Sequence, residues 1–325
     1  MQQATRMASG SGDEHEGAAL PLIAAVVGPT ATGKTALAVR LARRLGDAEL
    51  VNADSRQILH GLPIGTNAPT AEDLAGVPCH LLGITEPGVP YSVANWLAAA
   101  RSCLADLARR RVRPIVVGGT GLYVRALLDG LDLDGAPPDA ARRAVLNARA
   151  ATAEGLHELA TELRRRDPEG STRIDLRNPR RVVRALEIIQ DRGSLGARRP
   201  GISTLASLRL GLDAPAALHR RWVAERAQAM LEGGLLGETA AALQRGVTPL
   251  ALDGAGIGYR EAMAVLDGRM TGEEAGAEIV RRTLRYAKAQ RTWFRADRRV
   301  VWLRREAEDD LDDVTVGAME ALASR

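Results

Sequence analysis

The chain has 325 residues, 46% of them apolar, so it can hold one large globular domain or two smaller ones. Its net charge of +4 gives only mild support for a polyanionic partner. Cys79 and Cys103 show no metal spacing and predict no disulfide framework, which favours a reducing, cytoplasmic environment. Residues 1–19 are small and polar and are interpreted as a disordered tail. No apolar run reaches transmembrane length, so we expect no membrane partner.

A glycine-rich stretch fits the phosphate-binding loop pattern G-x-x-x-x-G-K-[ST]. The apolar run 20–27 before it predicts a buried parallel strand, and the leucine spacing after it predicts a helix over 35–45. In that order the loop N–H groups and the helix dipole face an anion, and the lysine reaches its terminal phosphates. The predicted diphosphate-binding residues are Gly28, Pro29, Thr30, Ala31, Thr32, Gly33, Lys34 and Thr35.

Two features of this loop carry specific chemistry. The Thr35 hydroxyl is the predicted ligand of Mg²⁺, the expected cofactor. The chain contains only two lysines, Lys34 and Lys288, among 44 basic residues. A compact point charge suits a phosphate, so a lysine kept in the loop of an arginine-rich chain favours a phosphate site over a chance glycine-rich turn.

Polar residues follow two further predicted strands, 49–53 and 113–117. Asp54 and Ser55 follow the first, and Thr120 follows the second within a glycine-rich turn. Ligands bind at the carboxyl ends of strands in open α/β sheets, so Asp54 can be a base or a metal ligand. A turn or helix cap is the alternative for Asp54, and a helix N-cap is the alternative for Thr120.

The remaining elements complete a prediction of fold and domains. Helices are expected at 94–110, 122–128, 182–190 and 217–245, a strand at 206–212, and a loop at 61–70, which is rich in glycine, proline and threonine. The expected fold is α/β: a P-loop NTPase-like parallel sheet flanked by helices. Its composition changes at about 131–200, which we interpret as a helical insertion between core segments 20–130 and 201–325.

Two clusters of basic residues are candidate nucleic-acid surfaces. One lies around Asn178 in the insertion, and a solvated face is its alternative interpretation. The other lies on a helix predicted over 278–295, where Tyr286 and Trp293 are interleaved with basic side chains. The first cluster comprises Arg173, Arg177, Arg180, Arg181 and Arg184; the second comprises Arg281, Arg285 and Lys288, continued by Arg291, Arg295 and Arg298.

In combination and in this order, these motifs resemble the tRNA dimethylallyltransferases of bacteria. The resemblance extends over about residues 22–303. Beyond the phosphate loop it rests on Asp54–Gln57, Ile64–Thr66, Tyr91–Val93, Val117–Tyr123, Asn178–Arg181, Arg184–Glu187, Ile257–Glu261, Tyr286–Lys288, Gln290 and Thr292–Arg295.

The resemblance implies transfer of a dimethylallyl group from dimethylallyl diphosphate to N6 of adenosine-37 in tRNA. It implies a monomer whose insertion grips the anticodon stem-loop. By matching position, Asp54 is the expected base, Thr120 contacts the diphosphate or the reacting centre, and Arg226 helps to neutralise the diphosphate. The expected tRNA-binding residues are Asp54, Ser55, Arg56, Gln57, Arg180, Arg181, Arg184, Gly258, Tyr259, Arg260, Arg281, Arg285 and Lys288.

The chain also departs from the family pattern, and other functions are open on the residues alone. A P-loop kinase of small molecules, a dimethylallyltransferase of free adenylate and a non-catalytic RNA-binding module are the alternatives. The insertion and the basic helix favour tRNA over free adenylate. The departures are at Leu59, Asn67, Cys79, Gly83, Trp222, Ala255, Leu284 and Ala289.

Overall fold

The computed structural model describes residues 22–131, 139–196, 205–307 and 310–325, so the predicted tail at 1–19 lies outside it. The strands in these ranges are β1 (Ile23–Val27), β2 (Ala48–Asn52), β3 (Cys79–His80), β4 (Arg113–Val117), β5 (Ser207–Asp213) and β6 (Val300–Arg304).

The helices are α1 (Lys34–Leu45), α2 (Pro63–Thr66), α3 (Ala71–Leu74), α4 (Val93–Arg109), α5 (Gly121–Leu128), α6 (Ala140–Arg149), α7 (Ala153–Arg166), α8 (Pro168–Ser171), α9 (Pro179–Arg192), α10 (Ala216–Glu232), α11 (Leu235–Gln244), α12 (Pro249–Ala255), α13 (Tyr259–Leu266), α14 (Gly272–Arg295) and α15 (Leu311–Ala323).

The chain divides into two compact units. One combines Met1–Leu128 with Thr204–Arg325, and the other is Asp129–Ser203. The bounds of the second unit therefore differ by only a few residues from those of the insertion predicted at 131–200. It has its own core, in which α9 packs Val182, Leu186 and Ile189 against α7 and α6.

The first unit is built on a parallel sheet, which confirms the predicted α/β fold. The strand order is β3-β2-β4-β1-β5-β6. β1 is apolar and wholly buried because it lies between β4 and β5 with helices over its faces. On one face α1 and α15 bury Leu37, Leu41 and Val314 against the sheet.

The strand order places the predicted site residues at one edge. β4 pairs with β1 on one side and with β2 on the other, and all three run in the same direction. The phosphate loop follows β1, Asp54 follows β2, and Thr120 follows β4. Because the carboxyl ends of parallel strands meet at one edge, these three segments converge on the same place.

Two parts of this unit differ from the sequence prediction. The stretch 61–70 is not a loop throughout, because α2 forms one helical turn that begins at Pro63. The Glu238 carboxylate stabilises this turn by accepting hydrogen bonds from the N–H groups of Ile64 (2.8 Å) and Gly65 (2.9 Å). The second difference is at the C-terminus, where β6 and α15 were not predicted.

None of the helices in the described ranges combines the length and the apolarity that a bilayer span requires.

Candidate active site

The phosphate loop leaves the start of α1 open to a ligand. Gly28 and Gly33 adopt positive φ angles of 131° and 87°, and a side chain at Gly28 would lie 2.3 Å from the Leu212 carbonyl oxygen. Within the described chain, α1 begins at Gly33 without a side-chain cap. The N–H groups of its first turn therefore face the cavity with a positive dipole end and can bind an anion.

Lys34 lies at this helix start with its charge poorly compensated. Its Nζ donates to the Pro29 carbonyl oxygen at 2.7 Å, inside the loop. Burial is the main cause that lowers the pKa of Lys34 to about 8; the Asp54 charge opposes this shift, and the weaker effect of Arg226 adds to it. An anionic ligand would favour the charged ammonium, so the site binds an anion more strongly when Lys34 is protonated.

Thr30 is fixed at all three of its polar groups by side chains from distant helices. Its N–H donates to Gln290 Oε1 (2.8 Å), its carbonyl accepts from His219 Nε2 (2.8 Å), and its hydroxyl accepts from Arg226 Nη1 (2.7 Å). Arg291 faces His219 Nδ1 at 3.3 Å, so the imidazole carries its hydrogen on Nε2. His219 was not singled out by any sequence pattern, and Gln290 was identified only as part of a family motif.

Arg226 brings a second cation into the cavity with an unused donor. Its Nε is buried without a hydrogen-bond partner, the one such side-chain atom in the described ranges. Burial lowers the pKa of the guanidinium, and the Asp54 charge opposes this effect. A buried donor of this kind is costly unless a ligand completes it.

Asp54 and Thr120 lie on neighbouring strand ends. The Asp54 N–H donates to Asn52 Oδ1 (3.1 Å), and Asp54 Oδ1 accepts from the Arg56 N–H (2.9 Å). The turn role considered for Asp54 is therefore present. In the part of the chain described, its second oxygen, Oδ2, accepts no hydrogen bond, so it remains available as a base.

The Thr120 hydroxyl connects the ends of β4 and β2. It accepts from the Ser55 N–H (2.8 Å) and donates to Ser55 Oγ (3.1 Å). The hydroxyl is thus engaged across the sheet edge. Thr120 also precedes α5 directly, and its carbonyl oxygen accepts from the N–H groups of Tyr123 (2.9 Å) and Val124 (3.2 Å), so the predicted cap position does not exclude a role in the site.

One cavity of about 350 Å³ joins these groups. Residues of the phosphate loop, Arg226 and Asp54 all line it. Tyr286 on α14 also lines it, and burial raises the pKa of its hydroxyl to about 12, which keeps it protonated. Cations and a carboxylate around one cavity can bind a phosphorylated donor beside a proton-bearing acceptor.

No group of three or more His, Cys, Asp or Glu side chains within the described residues could hold a metal ion. The chain itself offers Thr35 at the start of α1, lining the cavity. Mg²⁺ is commonly held by few protein groups together with substrate phosphates, so the donor set fits an ion that arrives with a phosphorylated ligand.

The predicted RNA-binding residues fall into different environments. Arg260, Arg281, Arg285 and Lys288 are exposed, although Arg281 also pairs with Glu278 (2.6 Å). Two others bind the backbone of short helices: Arg56 donates to the Gly254 carbonyl in α12, and Gln57 donates to the Asn67 carbonyl after α2 at 2.7 Å. 

The continuation of the basic surface past Lys288 is partly wrong. Arg291 and Arg295 bind the buried Asp213 carboxylate at 2.8 and 3.1 Å. Their charges serve to anchor α14 to the end of β5.

The second unit presents part of its basic cluster to solvent. Arg180 and Arg181 are exposed in the first turn of α9, whereas Arg184 is half-buried and donates to Glu187 at 3.1 Å. Burial would favour a neutral Glu187, but Arg143 and Arg184 outweigh it and hold the pKa of that carboxyl below its usual value. Arg184 therefore has a structural role inside this unit.

The prediction that Tyr259 binds tRNA is wrong for its side chain, and the neighbouring Gly258 is buried as well. Tyr259 is fully buried, and its hydroxyl donates to Glu238 Oε1 at 2.7 Å. A side chain at Gly65 would lie 2.2 Å from the Tyr259 ring, so the two residues pack directly. The Tyr259 side chain therefore joins α13 to α2 inside the protein.

This P-loop NTPase-like fold surrounds one cavity with an uncapped helix start, a lysine of lowered pKa and an arginine with an unused donor, a set of groups that suits an anionic ligand. The family model described as IPP transferase matches residues 57–297, and that described as isopentenyl transferase matches residues 21–82. The chain belongs to the tRNA dimethylallyltransferase (IPP transferase) family.

Individual relatives agree with this assignment. tRNA dimethylallyltransferase 1 of Pelobacter propionicus is 42% identical over 293 residues, covering 88% of this chain and 94% of that protein. A tRNA dimethylallyltransferase of Anaeromyxobacter dehalogenans is 45% identical over 291 residues, covering 86% and 93%.

Solved structures show the same architecture. The full-length tRNA isopentenylpyrophosphate transferase from Bacillus halodurans has a TM-score of 0.68 and 34% identity, covering 93% of this chain and 97% of that one. A eukaryotic dimethylallyltransferase acting on tRNA shares the fold, with a TM-score of 0.78 and 23% identity, covering 93% and 78%.

The burial of Tyr259 predicts that Tyr259→Phe changes stability rather than RNA binding. The variant loses one hydrogen bond to Glu238, which still accepts two backbone N–H groups, so unfolding should cost about 1 kcal/mol less. Urea denaturation measures this change, and a filter-binding titration measures the tRNA affinity, which should stay the same. Weaker tRNA binding at unchanged stability would contradict the structural role.

Proposed function

We propose that the protein transfers the dimethylallyl group of dimethylallyl diphosphate to N6 of adenosine-37 in tRNA, giving N6-(dimethylallyl)adenosine and diphosphate. The observation that carries the proposal is the unpaired, buried Arg226 Nε beside Lys34, in the same cavity as Asp54. The names of the relatives support the donor and the acceptor.

The phosphate loop holds the diphosphate of the donor. The uncapped backbone N–H groups at the start of α1 face it, Lys34 contacts it, and Arg226 completes its unused hydrogen bond on it. As the bond between C1 of the dimethylallyl group and the ester oxygen of the diphosphate breaks, negative charge builds up on the leaving diphosphate. Fixed cations in a half-enclosed cavity stabilise that charge more than they stabilise the bound donor.

The Thr35 hydroxyl is the protein ligand we assign to Mg²⁺, which arrives on the diphosphate oxygens. When bound, the ion supplies Lewis-acid stabilisation of the leaving group.

Asp54 is the base in this proposal. The adenine must leave the base stack of the anticodon loop to enter the cavity. Asp54 Oδ2 then accepts a hydrogen bond from the N6 amine and takes its proton as the N6–C1 bond forms. We assign Thr120 to the reacting centre as well. Its two hydrogen bonds with Ser55 hold the segment that follows β2, where Asp54 lies.

RNA binding is assigned to the exposed basic residues. Arg281, Arg285 and Lys288 on α14 contact backbone phosphates, and Arg180 and Arg181 of the second unit contact the anticodon stem-loop. We propose that the enzyme is a cytoplasmic monomer, since one chain supplies every residue assigned to the reaction and both cysteines are free thiols.

The direct test is incubation with labelled dimethylallyl diphosphate, Mg²⁺ and unmodified tRNA, followed by nucleoside analysis. Labelled N6-(dimethylallyl)adenosine is expected from the native protein. Lys34→Ala should abolish transfer and keep tRNA affinity, because it removes only the positive charge that stabilises the leaving diphosphate. Near-full turnover by Lys34→Ala would remove Lys34 from the mechanism. Label in free adenylate, or ATP turnover without tRNA, would favour an alternative function.

Asp54→Asn should slow the chemical step with little change in affinity for either substrate. The amide keeps the size and one acceptor oxygen but is far less basic, and general-base catalysis contributes about 10²- to 10⁴-fold. Single-turnover kinetics at saturating tRNA and donor measure this effect. A rate within about threefold of the native protein would show that Asp54 only forms the turn with Arg56.

The combined variant Arg281→Ala, Arg285→Ala, Lys288→Ala should weaken tRNA binding and reduce its salt dependence. Each lost phosphate contact lowers the slope of log K against log salt by roughly 0.7 to 0.9. The matched control removes three exposed arginines from α1 and α4, namely Arg40, Arg44 and Arg109. Equal slopes for the two triple variants would show that the α14 face does not contact RNA.

A further inference from the structure

Gln290 lies on the buried side of α14 and joins two parts of the site. It is only 5% exposed. Its Oε1 accepts from the Thr30 N–H (2.8 Å), and its Nε2 donates to the Gly119 carbonyl oxygen (2.9 Å). Because one partner can only donate and the other can only accept, a single orientation of the amide satisfies both.

The two partners belong to opposite sides of the proposed reaction. Thr30 is part of the loop assigned to the diphosphate, and Gly119 precedes Thr120 at the end of β4. A side chain on Gly119 would lie 2.2 Å from Gln290 Nε2 and 3.7 Å from Asp54 Oδ2. The amide therefore fits closely against the end of β4, next to the Asp54 carboxylate that follows β2.

We propose that Gln290 is a positioning residue that sets the separation between the phosphate loop and the Asp54–Thr120 edge. The inference rests on the proposed function. An in-line displacement requires N6 and C1 to be held near contact, and a misplacement of about 1 Å can cost about 10²-fold in rate. The amide fixes that spacing through two directional hydrogen bonds rather than through packing alone.

Gln290→Glu distinguishes a hydrogen-bonding role of Gln290 from a role in packing alone. A protonated glutamic acid has one donor and one acceptor and can reproduce both bonds, whereas the ionised form has only acceptors and opposes the Gly119 carbonyl. We expect a single-turnover rate about 10- to 100-fold below the native rate at pH 8. The ratio of variant to native rate should rise as the pH falls toward 5.5, by up to about tenfold per pH unit above the glutamate pKa.

The ratio removes the titration of groups common to both proteins. Those facing the region are Asp54 from β2, His219 and Arg226 from α10, and Tyr286 from α14, together with the loop lysine. Gln290→Met is the matched control, since it has similar length and neither bond. It should be slow at every pH, with a flat ratio to the native rate.

A ratio for Gln290→Glu that is flat with pH, or a native rate for Gln290→Met, would overturn the proposal. If the glutamate variant does not fold, Gln290→Met still decides, with a melting temperature to show that it is folded. Calorimetric titration with inorganic diphosphate separates this inference from the proposed function. The proposed function is refuted if the native protein binds diphosphate but transfers no dimethylallyl group. Only the positioning role is refuted if Gln290→Met binds diphosphate like the native protein and transfers the dimethylallyl group at the native rate.

Discussion

Two cations with incomplete compensation share the cavity, and the rest of the site depends on this arrangement. Lys34 has its pKa lowered to about 8 chiefly by burial, and Arg226 keeps a buried Nε without a partner. Desolvated charge of this kind is unfavourable unless a ligand neutralises it. In the proposed reaction, the anionic diphosphate relieves the unfavourable desolvation of Lys34 and Arg226.

The geometry that holds this charge comes from both ends of the chain. The phosphate loop follows the first strand, but Thr30 is fixed by α10 and α14, which lie about 200 residues later or more. α14 presents exposed basic residues on one side and Gln290 and Arg291 on the other. One helix therefore connects the surface assigned to RNA with the loop assigned to the diphosphate.

Local sequence patterns predicted the parts of the site that depend on neighbouring residues. The loop motif, its flanking strand and helix, and the strand-end positions of Asp54 and Thr120 follow from apolar periodicity and turn chemistry, and the sheet order brings them together. Tyr259, His219 and Glu238 could not be assigned in this way. Their roles depend on partners distant in sequence, such as Gly65 for Tyr259 and Thr30 for His219.

Charge patterning was informative about where arginines occur but not about what they contact. Arg281, Arg285, Arg291 and Arg295 recur on one helix, yet the last two bind Asp213. A carboxylate supplied by another strand end cannot be paired with them from the sequence alone. Strand β6 was not predicted, although Val300–Leu303 is a continuous apolar run; in the structure it is the edge strand and only partly buried.

The most direct measurement of the central claim is calorimetric binding of a thiolo analogue of dimethylallyl diphosphate, which cannot react, to the native protein and to Arg226→Met. The account predicts that the native protein binds the analogue at neutral pH. Arg226→Met should bind it at least about tenfold more weakly, because a charge-assisted hydrogen bond is lost. The thermal stability of the variant should not fall. Equal affinity for the two proteins would contradict the account, because the buried guanidinium would then have no diphosphate to bind.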